Sequence, residues 1–437
     1  LERLRDFVRR LMPRCDRFLR AFRGAEAGNI AITAALALPL VVGGFALGGE
    51  AGYWYLEQRK LQNAADVSAH AGGIALRGGG LTASLEASAR DIALASGFDG
   101  GMGTLTLTAP PSTGAYAADP SAVEVWLTRE QPRSFSKLFI ATPVDIGARA
   151  VAAVTGGSPA CLLALSPTSA GAVTVSGSSE VRFTGCDIAS NSNASNSFLM
   201  SGGAAVVSTG CVHAVGGVSA TGNLTLTDCA APNEQAPVTA DPYASMPEPA
   251  VTGTCQPDSN VGKNNRSTRL TPVENHPSGV KSMRFCGGLK LLGTVDLDPG
   301  LYIVDGGDFE LRSKTVARGS GITFYLANGA RAVINGGATL DLEAPKSGPF
   351  AGVIIFGSRG DVGVTHRING NAASILDGAV YAPAASVEYS GNFGGAGGCT
   401  QIVVDRITFT GNSELSVDCQ AAGTRDVLVN RKVTIVE

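Results

Sequence analysis

Charged and aromatic side chains are scarce in this 437-residue chain. Asp, Glu, Lys and Arg make up 16% of it, Phe, Trp and Tyr 6%, and the net charge is −3 at pH 7. So even a balance excludes the broad basic surface that nucleic acid requires, and no nucleic-acid partner is expected. The four histidines (His70, His213, His276, His366) are scattered and no CxxC occurs, which removes the usual zinc spacings. GxSxG, HExxH and a phosphate loop are absent too, and with them the nucleophile elbow, the zinc-protease helix and the P-loop. No catalytic, metal or cofactor-binding residue is assigned, and no cofactor is expected.

Against that scarcity stands one long apolar run. Asn29 to Gly49 (NIAITAALALPLVVGGFALGG) is 21 residues without a charge, which as a helix at ~1.5 Å per residue spans about 30 Å, the hydrocarbon thickness of a bilayer. The 28 residues before it carry eight arginines against four acids, whereas Glu50 to Lys60 has Arg59 and Lys60 balanced by Glu50 and Glu57. Arginine excess on one flank predicts that flank to be cytoplasmic and everything after residue 50 to lie across the membrane. A cleaved signal peptide would need a shorter apolar core. This run is too long, begins too deep and continues into a helical segment, so a retained anchor is expected. Gly44, Gly48 and Gly52 form a small-residue ridge at a spacing that lets a second membrane helix approach, against the ordinary tolerance of such helices for glycine. Pro39 should kink the same helix.

Cysteine placement agrees with an exported bulk. Cys15 precedes the run, and Cys161, Cys186, Cys211, Cys229, Cys255, Cys286, Cys399 and Cys419 all follow residue 160. An even number beyond the anchor is what disulfides in an oxidising compartment produce.

Beyond the anchor the pattern changes twice. Helical spacing of Ala64, Val67, Ala71 and Ile74 extends the first helix into a rod of about 45 residues, and a second helix runs from Thr82 to a glycine stop at Gly97. TLTLT (104–108), AVEVWLT (122–128) and Val144 to Val154 then alternate as strands. From Ser158 onward, a small residue and glycine followed by an alternating strand recur: SGSSEVRFTGC (176–186), SGGAAVVSTGC (201–211), TGNLTLTDC (221–229), NGGATLDLE (335–343), SGNFGGAGGC (390–399) and TGNSELSVDC (410–419). Such units cannot bury their apolar faces alone, and stacking in register buries them in one column. A parallel β-helix answers this best, with a β-sandwich as the alternative. The chain thus divides into a basic cytoplasmic segment (1–28), a transmembrane helix (29–49), a membrane-proximal α+β domain (50–157) and a repeat-built, mainly β domain (158–437). An irregular insert or strap falls at about 231–280.

The repeat constrains the disulfides. Cys399 and Cys419 close successive units, so on a one-rung-per-repeat reading they sit ~4.8 Å apart on adjacent rungs, within disulfide reach. The same logic pairs Cys161 with Cys186, leaving Cys211 with Cys229 and Cys255 with Cys286.

The Arg-rich start, GNIAI (28–32) and LQNAADVSAHAGGIAL (61–76) resemble the TadG-like proteins of the tight-adherence (Tad/Flp) pilus-assembly system, most specifically in Leu61, Gln62, Ala64, Ala65 and Asp66. ACLLALSP (160–167) and residues 297–326 are similar to some members. The resemblance implies a single-pass protein of the bacterial inner membrane with its bulk in the periplasm, acting with other Tad/Flp proteins on thin type IV-like pili, and self-association through the membrane helix would suit the glycine ridge. Some members carry an adhesion domain with a DxSxS metal motif; none occurs here. Related pseudopilins are cut at a glycine with Glu five residues on, and neither Gly24 nor Gly28 is so followed.

Parallel β-helices also include polysaccharide-cleaving enzymes, whose sites gather carboxylates. Asp296 and Asp298, predicted to share one strand face, with Asp305 and Asp308 nearby, are the nearest candidates, and their setting (VDLDPGLYIVDGGD) reads as turns around strands. Asp377 reads the same way, and His213 as a half-buried strand residue. The expected function is therefore a structural, non-enzymatic pilus-assembly component. The alternative is a membrane-tethered β-helix that binds or cleaves envelope polysaccharide.

Overall fold

A computed structural model describes residues 26–437 except 372, 392–398 and 417–421. The chain forms two compact units. One joins residues up to Gly72 with Ala83–Ala152 and Ile435–Glu437; the other joins Gly73–Thr82 with Ala153–Thr434.

Helix α1 runs unbroken over Glu26–Arg77, 52 residues, through Pro39. It is the one helix among the described residues long and apolar enough to cross a membrane. Leu36, Leu40 and Phe45 stand 72–78% exposed along it. Backbone groups that meet no water must be satisfied internally, which a helix does even where glycines are frequent. Beyond residue 60 the same helix turns amphipathic: Leu61, Ala64, Ala65, Ser68 and Ala69 are buried, at the i, i+3, i+4 spacing of one helix face. Helix α2 (Thr82–Ala95) buries Leu85, Ala89 and Ala93, and Gly97, at φ 87°, ends it in the left-handed conformation that glycine adopts freely.

Three strands, β1 (Gly103–Thr108), β2 (Ala122–Gln131) and β3 (Val144–Thr155), form a sheet in that order with Lys432–Ile435 on its far edge. β1 and β2 are antiparallel, with Leu105 opposite Leu127. Gly72 allows α1 to approach this sheet closely: a Cβ there would lie 3.3 Å from Leu107 Cδ1.

The second unit is a parallel β-solenoid of about 10 turns. Along one face the strands Lys281–Cys286, Gly300–Asp305, Ile322–Ala327, Val353–Gly357, Ile375–Gly391, Thr400–Phe409, Ser158–Ala164, Asp187–Ser190, Val212–Ala214 and Asn233–Glu234 follow one another, each parallel to the next. Tyr302, Phe324, Ile355, Val380, Ile402, Leu162, Ile188 and Val212 stack in register inside it. Their outward neighbours Ile303, Tyr325, Phe356, Tyr381, Val403, Leu163, Ala189 and His213 form a second column that is also buried. A strand covered on both faces has no polar side to alternate, which is why Ile322–Ala327 reads ITFYLA.

Spatial order departs from chain order. Thr400–Phe409 lies on Ser158–Ala164, so the turns from 158 to 234 extend the stack beyond the last turns of the chain. After Glu234 the chain must return past that stack to start again at its other end. The stretch expected as an irregular insert, 231–280, holds strands at Asn233–Glu234, Asn260–Leu270 and Glu274–Asn275 between irregular segments. Asn260–Leu270 is a strand parallel to Leu289–Leu297, with a bulge between Gly262 and Ser267.

Candidate functional site

The residues that carry the LQxAAD pattern form one structural device. Gln62 points its amide at the sheet, donating to the Arg149 carbonyl (2.8 Å) and to Asp66 Oδ1 (2.8 Å). Asp66, one turn on, holds the Gln62 side chain in that pose. Leu61, Ala64 and Ala65 are at most 4% exposed, and two alanines let the helix settle near the strands without a gap-filling side chain. Beside them, Glu57 accepts from Lys60 (2.8 Å) and Arg129 (3.4 Å), at the edge of a groove of about 720 Å³ that includes Tyr53, Arg59 and Phe98.

The glycines of the predicted ridge, Gly44, Gly48 and Gly52, are exposed on α1, and a Cβ added to any of them would meet no atom within 4 Å. That face is open for a neighbour.

The four acids considered for catalysis are dispersed and engaged. Asp296 accepts from Ser267 (2.8 Å), while Asp298, beyond the end of that strand, accepts from both Arg269 (2.6–3.0 Å) and Thr271 (2.6 Å). Asp296 lies in the strand Leu289–Leu297 and Asp298 directly after it, and the residues that bond them, Ser267 and Arg269, are two apart on the adjacent strand Asn260–Leu270. Asp305 accepts from Asn328 (2.6 Å) and Arg284 (3.1 Å), and Asp308 from Arg331 (2.8 Å). Asn328 and then Arg284 hold the Asp305 carboxyl below its ordinary range, as Arg269 and Thr271 do for Asp298. A general acid needs the opposite shift. Asp377 accepts the Cys399 N–H (2.9 Å). Among the described residues no group of three or more His, Cys, Asp or Glu is placed to hold a metal.

His213 is buried, not half-buried, because Asn233–Glu234 pairs over it as a further turn. Its Nε2 lies 3.1 Å from Asp187 Oδ2 and its Nδ1 3.2 Å from Asn233 Nδ2. Since Asn233 can only donate from that nitrogen, Nε2 carries the proton and donates to Asp187. Burial alone would raise the Asp187 carboxyl; hydrogen bonds from His213, Ser158 and the Cys211 N–H outweigh it and hold it low. Ser158 donates to Asp187 and not to the imidazole. A nucleophile needs its hydroxyl on the base, so this trio ties adjacent turns together and does not activate the serine. Disulfides Cys161–Cys186 and Cys211–Cys229 flank it, and a third joins Cys255 to Cys286, with Cα atoms 5.5–5.7 Å apart. The expected Cys399–Cys419 pair lies outside the described residues, since Cys419 is not described.

A cluster that the sequence did not single out holds the returning segment down. Arg359 lies 5.2 Å from the Phe356 ring centroid and 5.4 Å from that of Tyr381, and its Nη2 donates to the carbonyls of Tyr243 and Met246 (both 2.9 Å). Tyr381 donates to Asp241 (2.9 Å), Tyr325 to Glu248 (2.9 Å) and Tyr243 to Gln401 (2.6 Å). Burial raises the Asp241 carboxyl despite the Tyr243 N–H, the Tyr381 hydroxyl and Arg359 nearby. Aromatic residues in successive turns, three or four residues after a glycine (Tyr325, Phe356, Tyr381), were the available signal; the segment that covers them is remote in sequence.

On another face a groove of about 540 Å³ is lined by residues that include Glu310, Arg312, Asn335, Arg367, Asn369 and Glu388. Its acids are paired: Glu310 with Lys290 (2.9 Å) and Arg312 (2.8 Å), Glu388 with Arg367 (2.8 Å).

Comparison with curated proteins and with solved structures finds no match to the chain. Residues 28–84, the stretch that contains the apolar run and the seated LQxAAD pattern, match the family described as putative Flp pilus-assembly TadE/G-like. Over that N-terminal stretch the chain is similar to the TadE/G-like proteins of Flp pilus assembly.

Proposed function

We propose that this chain is a structural, non-enzymatic component of a Tad/Flp pilus-assembly or secretion apparatus, anchored in the bacterial inner membrane. In this reading residues 1–28 are cytoplasmic, 29–49 cross the bilayer, 50–157 form the membrane-proximal domain and the solenoid from 158 works in the periplasm. The match over residues 28–84 carries the reading. Arginine asymmetry about the apolar run supports the orientation, and the disulfides suit an oxidising compartment. Its partners are other Tad/Flp assembly proteins and, through the glycine ridge, a second membrane helix.

One observation favours a second reading, a tethered solenoid that binds envelope polysaccharide: the groove where Arg367, Asn335 and Asn369 present donors across successive turns. A deletion strain separates the two. Loss of surface pili with unchanged cell-wall chemistry is expected; normal piliation with altered glycan processing would reject the structural role in favour of the second reading. Orientation is tested by labelling single cysteines at residues 20 and 410 in intact cells with a membrane-impermeant reagent, with labelling expected at residue 410 alone.

A further inference from the structure

The apolar run of α1 ends at Gly49, and Glu50 is the first charge after it. The Glu50 carboxylate accepts the backbone N–H groups of Ser134 (2.5 Å) and Ser136 (2.8 Å). Those bonds fasten the connection between β2 and β3 to the helix at the level where its apolar run stops. Arg133 strengthens the attachment, its guanidinium 5.3 Å from the Trp54 ring centroid and its Nε donating to the Thr142 carbonyl at 2.7 Å. Just beyond the fastening, a short turn, Ser136–Leu138, displays a cluster of bare apolar side chains. Phe135, Leu138, Phe139 and Ile140 are 53%, 84%, 81% and 51% exposed.

Soluble surfaces scatter single apolar residues; four within six positions, with two almost wholly bare, mark a contact surface. What covers them follows from where they sit. The helix they are fastened to enters hydrocarbon at its neighbouring turn, Tyr53, Trp54 and Tyr55 supply the aromatic side chains that settle at a membrane–water interface, and Arg133 and Lys137 supply cations for lipid phosphates.

We propose that residues 135–140 dip into the bilayer interface on the side where α1 emerges, giving this unit a second membrane attachment beside the helix. The partner is a phospholipid surface. The inference rests on reading α1 as a membrane span. Two attachments fixed to each other through Glu50 would set the tilt and rotation of α1, which helix length alone leaves open.

The test uses the full chain, with Cys15→Ser, reconstituted in phosphatidylethanolamine–phosphatidylglycerol vesicles. An environment-sensitive fluorophore is placed on Phe139→Cys, on Leu38→Cys in the apolar run, or on Val362→Cys on the solenoid surface, and quenched by lipids bearing a nitroxide near the headgroup or deep in the acyl chain. The label at residue 139 should be blue-shifted and quenched by the shallow nitroxide, the label at 38 by the deep one, and the label at 362 by neither. Adding Leu138→Asp should abolish the blue shift at 139. A label at 139 that behaves like the one at 362 while 38 is quenched overturns the second attachment and leaves the anchor standing, as a protein partner for this surface would require. A label at 38 that is not quenched overturns the anchor and this inference with it.

Discussion

The Arg149 guanidinium neutralises the fully buried carboxylate of Glu124 through Nε and grips Glu437 with Nη1. Glu124 is further served by the Ser112 N–H (3.0 Å), the Ser112 hydroxyl (2.9 Å), Thr108 (3.1 Å) and Trp126 (3.1 Å). Burial alone would raise its pKa; these donors and Arg149 bring it down to about 2. Glu437 also accepts the Ala115 N–H (2.6 Å), so one arginine knots β3, the loop before β2 and the last residues together.

Replacing Arg149 by Met should leave Glu124 buried and unpaired, at a cost of about 3 kcal/mol. The pH dependence follows from the lowered pKa. Glu124 contributes stability that is fully present above its ordinary value of 4.5 and is lost as pH falls toward about 2. Thermal unfolding of the full chain in detergent, followed by circular dichroism, should show the wild type losing stability across that window and Arg149→Met losing less. A wild-type melting temperature that stays flat there would contradict this role for Glu124.

His366 gives a second, separate pH window. It faces the interior of the solenoid in the Thr365–Gly370 strand and is 1% exposed. Its Nδ1 accepts the Ala332 N–H (3.2 Å), and its Nε2 has no hydrogen-bond partner. Burial pushes its pKa down to about 4. The unfolded chain takes up this proton near pH 6.5, so stability is full above that value and falls as pH drops toward about 4, by roughly 3 kcal/mol in all. His366→Gln keeps an acceptor for Ala332 and cannot titrate. It should remove the slope between these two pH values while leaving the Glu124 window in place, as read by denaturant unfolding at a series of pH values. An equal slope in the variant would rule His366 out as its source.

The repeat announced the solenoid because glycine corners and runs apolar on both faces, such as ITFYLA and VIIFG, fit few other architectures. Its spatial order was hidden. Every turn offers its neighbour the same backbone edge and the same apolar columns, so nothing local in Thr400–Phe409 specifies Ser158–Ala164 as its partner. The same remoteness concealed the cations facing the candidate acids: Arg269 and Arg284 sit one turn away from Asp298 and Asp305, at separations that depend on loop length. LQxAAD was legible as a family signature, but its physical content, Gln62 bonded to the Arg149 carbonyl, needs the sheet in place. Phe135, Leu138 and Phe139 show the limit most plainly, since an apolar loop looks alike in sequence whether or not it ends up covered.

Arg359 should be the residue that keeps the returning segment seated. It stacks on Phe356 and Tyr381 and donates to two backbone carbonyls, of Tyr243 and Met246. Arg359→Ala removes these contacts together and leaves the two carbonyls without that donor, at about 2 kcal/mol for local opening. Limited proteolysis should then cut within residues 241–250 several-fold faster than in the wild type, with the solenoid strands protected as before. Cutting at the wild-type rate would mean that Tyr243 and Met246 alone hold the segment.

The glycine ridge yields the remaining prediction, which concerns partners rather than stability. Gly44, Gly48 and Gly52 leave a strip of α1 with no Cβ and no neighbour within 4 Å of where one would be. In a bilayer, lipid tails are as apolar as any helix, so association depends on close van der Waals approach along such a strip. Gly48→Ile inserts a branched side chain in the middle of it and should weaken crosslinking of α1 to itself or to another membrane helix several-fold. Insertion should be untouched, because isoleucine is at least as apolar as glycine. Membrane fractionation reads insertion and in-membrane crosslinking reads association, so the two effects separate. Equal crosslinking in Gly48→Ile and wild type would show that α1 meets its partners on another face.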